Sequence, residues 1–335
     1  MKLLVTGGAG FMGSNFIKHI IKKYPDYKII NLDKLTYAGN LENLKTIENN
    51  PNYTFVRGDI SKAKEVEKAL KILKGVDAII NYAAETHVDR SILNPRAFIE
   101  TDVLGTYELL EAVKKGLAKK MIQISTDEVF GEIQDGQFYE DSPFLPNSPY
   151  SASKAGGDLL CRAYKETYQT PVIVTHSCNF FGPNQYPEKL IPLFITNLLE
   201  GKKVPLYNNG ENIREWIYTK DHCEAIDTIL HKGQIGEVYN IGTGNEKKNI
   251  EITEIILEEL GYGKEMIEHV KDRPGHDTRY AVNNEKLVKQ LGWKPKTDFQ
   301  KALKETVQWY KKNKQWWQKL KSSEYWEYYK KQYQT

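Results

Sequence analysis

Through the first half of the chain, short apolar runs alternate with longer stretches whose apolar residues recur at helical spacing. The runs at 3–6, 28–32, 53–57, 78–82, 120–125 and 172–177 are too short for helices and too continuous for half-exposed strands, so they predict buried strands. Between them, 14–23, 62–73, 98–115 and 151–168 carry the 3.6-residue period of amphipathic helices. Strands separated by helices predict βαβ units, hence a Rossmann-like doubly wound parallel sheet of the α/β class. After about Gly182 the pattern loosens. "GPNQYPEKLIP", "NNGENIREW" and "GTGNEKKN" are rich in turn formers and charge, and predict a smaller mixed α/β lobe towards the C-terminus. The end, "QWWQKLKSSEYWEYYKKQYQT", predicts an amphipathic helix packed on the body. No internal repeat interrupts this plan.

Composition narrows the picture. With 335 residues, 40% hydrophobic and 27% charged, the chain suits one large or two modest domains with a real core. A net charge of +3 is too small to point to nucleic acid or an acidic membrane. Three dispersed cysteines make no disulfide framework and suit a reducing compartment, and seven histidines without paired-ligand spacing predict no metal. The apolar start, "MKLLVTGGAGFMGSNFIKHI", is broken by glycines and lacks a cleavage site, so strand, turn and helix fit better than a signal peptide. No window approaches about 18 apolar residues. The expectation is a soluble cytoplasmic protein with no membrane or nucleic-acid partner.

The first candidate chemistry lies in that glycine turn. Gly7, Gly10 and Gly13 follow a strand and open a helix, and Gly8, Gly10 and Gly13 also satisfy G-x-G-x-x-G. Glycines allow the tight turn and close approach of backbone, and the helix start offers free N–H groups to a pyrophosphate. Asp33 then ends the second strand about 20 residues on, where an acid holds the ribose hydroxyls. A carboxylate there would repel a 2′-phosphate, which favours NAD over NADP. Asp59, at the end of the third strand, is a candidate adenine contact. Residues 1–180 are therefore read as the NAD-binding domain, with later segments free to return to it, and 181–335 mainly as the substrate-binding lobe and helical tail.

The second lies in "STDEVFGE" and "SPYSASKAGGD". Tyr150 and Lys154, four apart, share one helix face. An ammonium and a cationic nicotinamide would lower the phenol from about 10 toward neutrality, fitting Tyr150 to take a proton from a substrate hydroxyl. Asp127 and Glu128, adjacent at a strand end, are costly to bury unless something uses them. Each raises the other's pKa, so one can serve as acid and the other as base.

The glycine turn, the Tyr-x-x-x-Lys pair and the length resemble the extended short-chain dehydrogenase/reductase superfamily, which works on nucleotide sugars. Within it, "LDKLTYAGNLENL", "AAETHVDRSI", "STDEVFGE", "PEKLIPLF", "REWIYTKDHCEAI", "YNIGTGNEKKN" and "DRPGHDTRYA" closely resemble the dTDP-glucose 4,6-dehydratases, in order and up to about residue 300. The resemblance implies NAD-dependent loss of water from dTDP-glucose to give the 4-keto-6-deoxy sugar. C4 is oxidised, water leaves across C5 and C6, and hydride returns to C6. It implies that Thr126 binds the C4 oxygen, Asp127 protonates the leaving C6 hydroxyl, Glu128 takes the C5 proton, and Tyr150 and Lys154 serve the C4 oxidation.

For the cofactor, the resemblance implies Phe11 and Met12 beside Gly7, Gly10 and Gly13. It adds Asp33, Lys34, Leu35 and Thr36 with Asp59 and Ile60 around the adenosine, then Ala83, Ala84 and Thr101, with Tyr150 and Lys154. For the nucleotide sugar it implies Thr86, Asn179, Lys189, Leu190, Arg214, Asn249, Arg273 and His276, with Pro205 and Tyr207 against the base. Two arginines and a lysine suit a diphosphate. Three positions depart from the family pattern. Met12 stands for Ile, Asp102 for Asn in "TNxxGT", and Phe180 for a second Asn beside the nicotinamide. The family also implies a homodimer through the helix bearing Tyr-x-x-x-Lys and its neighbour. UDP-glucose is the nearest rival substrate. A 4-epimerase, which needs no acid pair, comes next, and an inactive NAD-binding sensor is the reading from another class.

Overall fold

The computed structural model describes residues 1–333. Among the described residues, twelve strands run in the order Lys2–Thr6 (β1), Lys28–Asp33 (β2), Tyr53–Arg57 (β3), Ala78–Asn81 (β4), Met121–Thr126 (β5), Val172–Ser177 (β6), Asn179–Phe181 (β7), Val204–Tyr207 (β8), Ile213–Tyr218 (β9), Val238–Ile241 (β10), Glu246–Lys248 (β11) and Ile267–Val270 (β12). Seven of them form one parallel sheet in the order β10-β6-β5-β4-β1-β2-β3. From β1 the chain builds outward through β2 and β3, then crosses back to β4 and builds the other way. That reversal opens a crevice at the carboxyl ends of β1 and β4, the usual ligand position in such sheets.

Side-chain alternation explains why both faces are covered. Leu3 and Val5 pack with Phe16, Ile17 and Ile20 of the helix Phe11–Lys23 and with Ile226 and Ile229 of Thr219–Lys232. Leu4 points the other way, into a core with Val66, Leu109 and Leu110 from the helices Ala63–Ile72 and Thr106–Lys114. The strand read at 120–125 is shifted by one residue, so Thr126 is still strand and pairs with Ser177. The helix read at 98–115 is not continuous. It comprises Pro95–Phe98, a wide π turn Ile99–Gly105, and Thr106–Lys114. Gly105 sits so close to Ile60 that a Cβ there would meet its Cδ1 at 2.5 Å.

A second lobe holds a three-stranded sheet, β11-β9-β7, and the pair β12-β8. Its core gathers Phe181, Phe194, Trp216 and Ile256 with Trp317 and Tyr325 from the tail. The tail forms three helices, Phe299–Lys312, Lys314–Leu320 and Ser323–Tyr333. The last two positions of the expected terminal helix lie outside the described residues. Among the described residues no helix is long and apolar enough to cross a membrane.

Trp317 is fully buried, and its indole N–H donates to the Tyr310 carbonyl at 2.9 Å. Replacing it by Ala leaves a large cavity and an unpaired carbonyl. Trp317→Ala is expected to cost about 3–5 kcal/mol in urea unfolding. A loss below about 1 kcal/mol would mean that the tail is not part of the lobe's core.

Candidate functional site

One cavity runs from the glycine turn across the sheet's carboxyl edge into the second lobe. The turn is built by close contacts. Gly7 has φ +63°, and a Cβ on it would lie 2.6 Å from the Ala83 nitrogen; one on Gly13 would lie 2.4 Å from the Gly7 carbonyl. Of the two glycine registers in the sequence, Gly7, Gly10 and Gly13 line the cavity, whereas Gly8 packs inward against Asn31. The helix starting at Phe11 has no side-chain cap, so the first-turn N–H groups are available to an anion. Phe11 and Met12 line the same wall.

Asp33 ends β2 and braces this turn. Its carboxylate accepts N–H bonds from Ala9 and Leu35, each 2.8 Å, while burial raises its pKa. Lys34 and Asp59 form a 2.7 Å ion pair beside Thr36 and Ile60. Burial opposes ionisation of Asp59, but Lys34 and Ser61 outweigh it and leave its pKa lowered. Leu35 is the one expected cofactor residue that does not line the cavity. Its φ of +58° carries the chain through a left-handed turn, and its contribution is the N–H given to Asp33. Ala83, Ala84 and Thr101 continue the wall.

The polar strand end is organised locally. Thr126 caps a 3₁₀ turn, Asp127–Phe130, by accepting the Glu128 N–H, and its hydroxyl donates to Asp127 Oδ1 at 3.1 Å. The other Asp127 oxygen is buried without a partner among the described residues. Burial, then Glu128 and Glu215, push the Asp127 pKa well above the ordinary carboxylate value. Burial raises Glu128 too, but Arg273, Arg214 and Lys189 pull it back. The two carboxyls therefore divide into a retained proton and a more readily ionised group.

Across the cavity, a reciprocal Ser148–Ser151 capping box and Pro149 at the first turn fix the start of the helix Pro149–Tyr168. Tyr150 and Lys154 follow one turn apart on its cavity face. The expected lowering of Tyr150 by Lys154 is not what the protein alone provides. Burial, Glu128 and Asp102 drive the phenol well above its usual pKa, and the neighbour that favours its phenolate is Thr126. Lys154 instead donates to the Ile124 carbonyl at 2.7 Å.

Asp102 accepts from the Glu85 N–H and from Ser153 Oγ, and burial lifts its pKa to about 6. It thus ties the π turn to the Tyr150 helix through bonds that a protonated or ionised carboxyl can accept. Phe180 packs its ring against the neutral, buried His222 at 4.5 Å and presents an apolar wall where an amide was expected.

At the far end, Arg214 stacks on Tyr280 and donates to the Asp277 carbonyl, and Arg273 pairs with buried Asp89 at 3.2 Å. Asp89 also accepts from Tyr207. Lys189 donates to the Thr86 carbonyl. His276 bonds Asp272 at 2.6 Å, yet burial and the two arginines lower its pKa to about 3 and keep it neutral. Leu190, Pro205 and Asn249 complete this end, with Asn179 near the sheet. Arg273 Nε, a donor, and Asn179 Oδ1 and Asn249 Oδ1, both acceptors, are buried without partners among the described residues, so this end suits a ligand that carries both an anionic group and hydroxyl donors. Sequence reading missed Asp89, Tyr82 and Tyr333, all lining the cavity. Asp89 lies within "AAETHVDRSI", but its role comes from Arg273, which is distant in sequence.

A dinucleotide-binding sheet joined to a Tyr–Lys pair and an acid couple defines an enzyme of the short-chain dehydrogenase/reductase type. The family model described as GDP-mannose 4,6 dehydratase matches residues 4–306. The chain is 49% identical to the low-salt glycan biosynthesis protein Agl12 of Haloferax volcanii over 92% of this chain and 98% of that protein. Among solved structures, it is 52% identical to the dTDP-glucose 4,6-dehydratase of Bacillus anthracis in complex with NAD, with TM-score 0.89 over 96% of this chain and 99% of that one. It is 48% identical to the dTDP-glucose 4,6-dehydratase DesIV of Streptomyces venezuelae, also with NAD bound, with TM-score 0.92 over 96% and 100%. The chain belongs to the dTDP-glucose 4,6-dehydratase family.

The raised pKa of Asp127 has a consequence for stability. The folded protein keeps a proton there at pH values where the unfolded chain, with a pKa of about 3.9, has lost it. The contribution of Asp127 to stability is therefore full below about pH 4 and falls as pH climbs toward the folded value. Asp127→Asn removes this dependence. Its stability relative to the native protein is expected to rise from about pH 5 to pH 8. Comparing the two pH values cancels any fixed effect of the amide. A flat or shrinking difference would show that Asp127 is ionised in the folded protein.

Proposed function

We propose that this protein binds NAD and converts dTDP-glucose to dTDP-4-keto-6-deoxy-glucose. The observation that carries the reading is the pair Asp127 and Glu128, facing the same cavity as Tyr150 and Lys154, with one Asp127 oxygen buried and unpartnered. When bound, NAD supplies the acceptor and later the donor of hydride. The close-packed glycine turn, Asp33 and the uncapped helix start fit its pyrophosphate and ribose. In this reading residues 1–180 hold chiefly the dinucleotide and the remainder chiefly the nucleotide sugar.

Each side chain has a task. Tyr150 takes the C4 hydroxyl proton, with Thr126 holding that oxygen. The resulting ketone acidifies C5–H, which Glu128 removes, while Asp127 protonates the departing C6 hydroxyl. Lys154 orients the helix face and contributes positive charge. Arg214, Arg273 and Lys189 bind the diphosphate, with Thr86, Asn179, Leu190, Asn249 and His276 around the sugar and Pro205 and Tyr207 at the base. Tyr150 starts from a raised pKa in the protein alone, and bound NAD would supply positive charge that favours its phenolate.

Incubation with dTDP-, UDP- and CDP-glucose is expected to give the 4-keto product, read by its alkali-induced absorbance, fastest from the dTDP sugar. Thymine and uracil differ by one methyl, worth about 1–3 kcal/mol, so preference for UDP-glucose would change the substrate and keep the chemistry. Formation of dTDP-galactose alone would replace the reading with a 4-epimerase, and NAD binding without turnover would replace it with a sensor. Asp127→Asn is expected to lower kcat by about 10²–10⁴. Glu128→Gln is expected to suppress exchange of the C5 hydrogen with solvent deuterium, and undiminished exchange would remove its role as base.

We infer also that the protein acts in the cytoplasm as a homodimer. Support comes from Leu104, Tyr107, Leu159 and Tyr168, large apolar side chains left exposed on the helical segment 99–114 and on its neighbour Pro149–Tyr168. Leu159→Glu is expected to shift sedimentation from dimer to monomer. A native protein that already sediments as a monomer would overturn this assembly.

A further inference from the structure

The loop that leaves β2 lines the cofactor end of the cavity with Thr36, Ala38 and Gly39. Its ends are tied close to the glycine turn, by the Leu35 N–H to Asp33 and by the Asn40 N–H to the Ala9 carbonyl at 3.0 Å. Its middle is held differently. The Tyr37 hydroxyl donates to Glu188 Oε1 at 2.8 Å, and the Tyr37 ring lies under the guanidinium of Arg90, with 3.8 Å from Cζ to the ring centroid. Arg90 donates through Nε to the other Glu188 oxygen at 2.7 Å. A second ring lies 4.3 Å from the same guanidinium carbon. It belongs to Tyr328, in the tail helix Ser323–Tyr333.

Four segments distant in sequence therefore meet at Arg90: the cofactor loop, the helix Val88–Leu93, the stretch before Lys189, and the tail. The tail is fixed there by bonds of its own. The Tyr328 hydroxyl is hydrogen-bonded with His87 Nδ1 at 3.0 Å, and the Tyr325 hydroxyl donates to the Pro187 carbonyl at 3.0 Å, one residue before Glu188. The Glu188 side chain is 2% exposed and that of Arg90 18%. In such a desolvated place a guanidinium both stacked on rings and bonded to a carboxylate is held firmly, and losing one partner leaves a buried charge unpaired.

Resting on the NAD-binding part of the proposed function, we propose that Arg90 and Tyr328 are positioning residues for the cofactor. They pin Tyr37, and so hold the loop 34–40 against the adenosine end of bound NAD. Hydride leaves and returns within one turnover, so the reaction asks for no exchange of cofactor. A pinned loop lets the sugar nucleotide come and go while the dinucleotide stays. Glu188 adjoins Lys189, so the pin is anchored beside the group assigned to the substrate diphosphate. The tail, remote from the reacting groups, thereby acts on cofactor retention.

The test loads the full-length protein with radiolabelled NAD, chases with excess unlabelled NAD, and measures thermal unfolding of each variant alongside. Tyr328→Leu removes one ring from Arg90, Tyr328→Phe keeps that ring and loses the hydroxyl, and Arg90→Lys keeps the charge without the planar group. Tyr328→Leu and Arg90→Lys are expected to release label about tenfold or more faster than the native protein, with Tyr328→Phe within about threefold of it. Labelled ADP, which carries the adenosine end alone, is expected to show the same acceleration. Unchanged NAD release from Tyr328→Leu and Arg90→Lys would overturn the pin. So would equal acceleration in Tyr328→Phe and Tyr328→Leu, or acceleration for NAD without any for ADP. Release that merely tracks a falling unfolding temperature across the three variants would reduce the contacts to a structural role and overturn it too. A native protein that retains no NAD would overturn the cofactor reading itself, and the pin with it.

Discussion

Burying two adjacent carboxyl groups at the end of a parallel strand costs several kcal/mol for each ionised group without a partner, and that cost organises this site. Asp127 meets it by keeping its proton, because burial and two neighbouring carboxyls make ionisation unfavourable. Glu128 meets it with help from Arg273, Arg214 and Lys189. These cations come from the second lobe, so the acid couple at the sheet edge depends on the lobe that closes over it. One arrangement of charge thus supports both the division between acid and base and the binding of an anionic nucleotide.

The glycine turn shows the same economy on the other side of the cavity. Gly7 and Gly13 are compelled by backbone packed within a side chain's reach, and Asp33 is held by two N–H groups from the loops it joins. The crevice at the β1/β4 reversal exists because the chain builds the sheet outward in both directions from its middle. Cofactor and substrate ends are therefore set by topology, and the reacting groups sit where the two meet.

Much of this was legible in the residues. Buried parallel strands announce themselves as continuous apolar runs, and the glycine spacing, the acid after β2 and the Tyr–Lys pair are all local patterns. The motif resemblance then extended the reading to distant positions. Leu35 does not line the cavity, because its left-handed backbone turns its N–H to Asp33. The helix read at 98–115 failed because a periodic apolar pattern does not reveal a π turn that pulls Asp102 inward. A lowered Tyr150 pKa is expected from Lys154 and a cationic nicotinamide, whereas in the protein alone burial, then Glu128 and Asp102 from other elements, raise it.

What the sequence determined by itself is what depends on neighbours along the chain: strand and helix periods, the glycine turn, the cap that starts the Tyr150 helix, and the adjacency of Thr126, Asp127 and Glu128. What only the tertiary structure decided is how those groups are charged and which of them meet. Asp89 under Arg273 and the tail's Tyr333 at the cavity wall are contacts between segments far apart in sequence. Protonation states follow from desolvation and from charges converging in three dimensions, and neither is encoded at any single position.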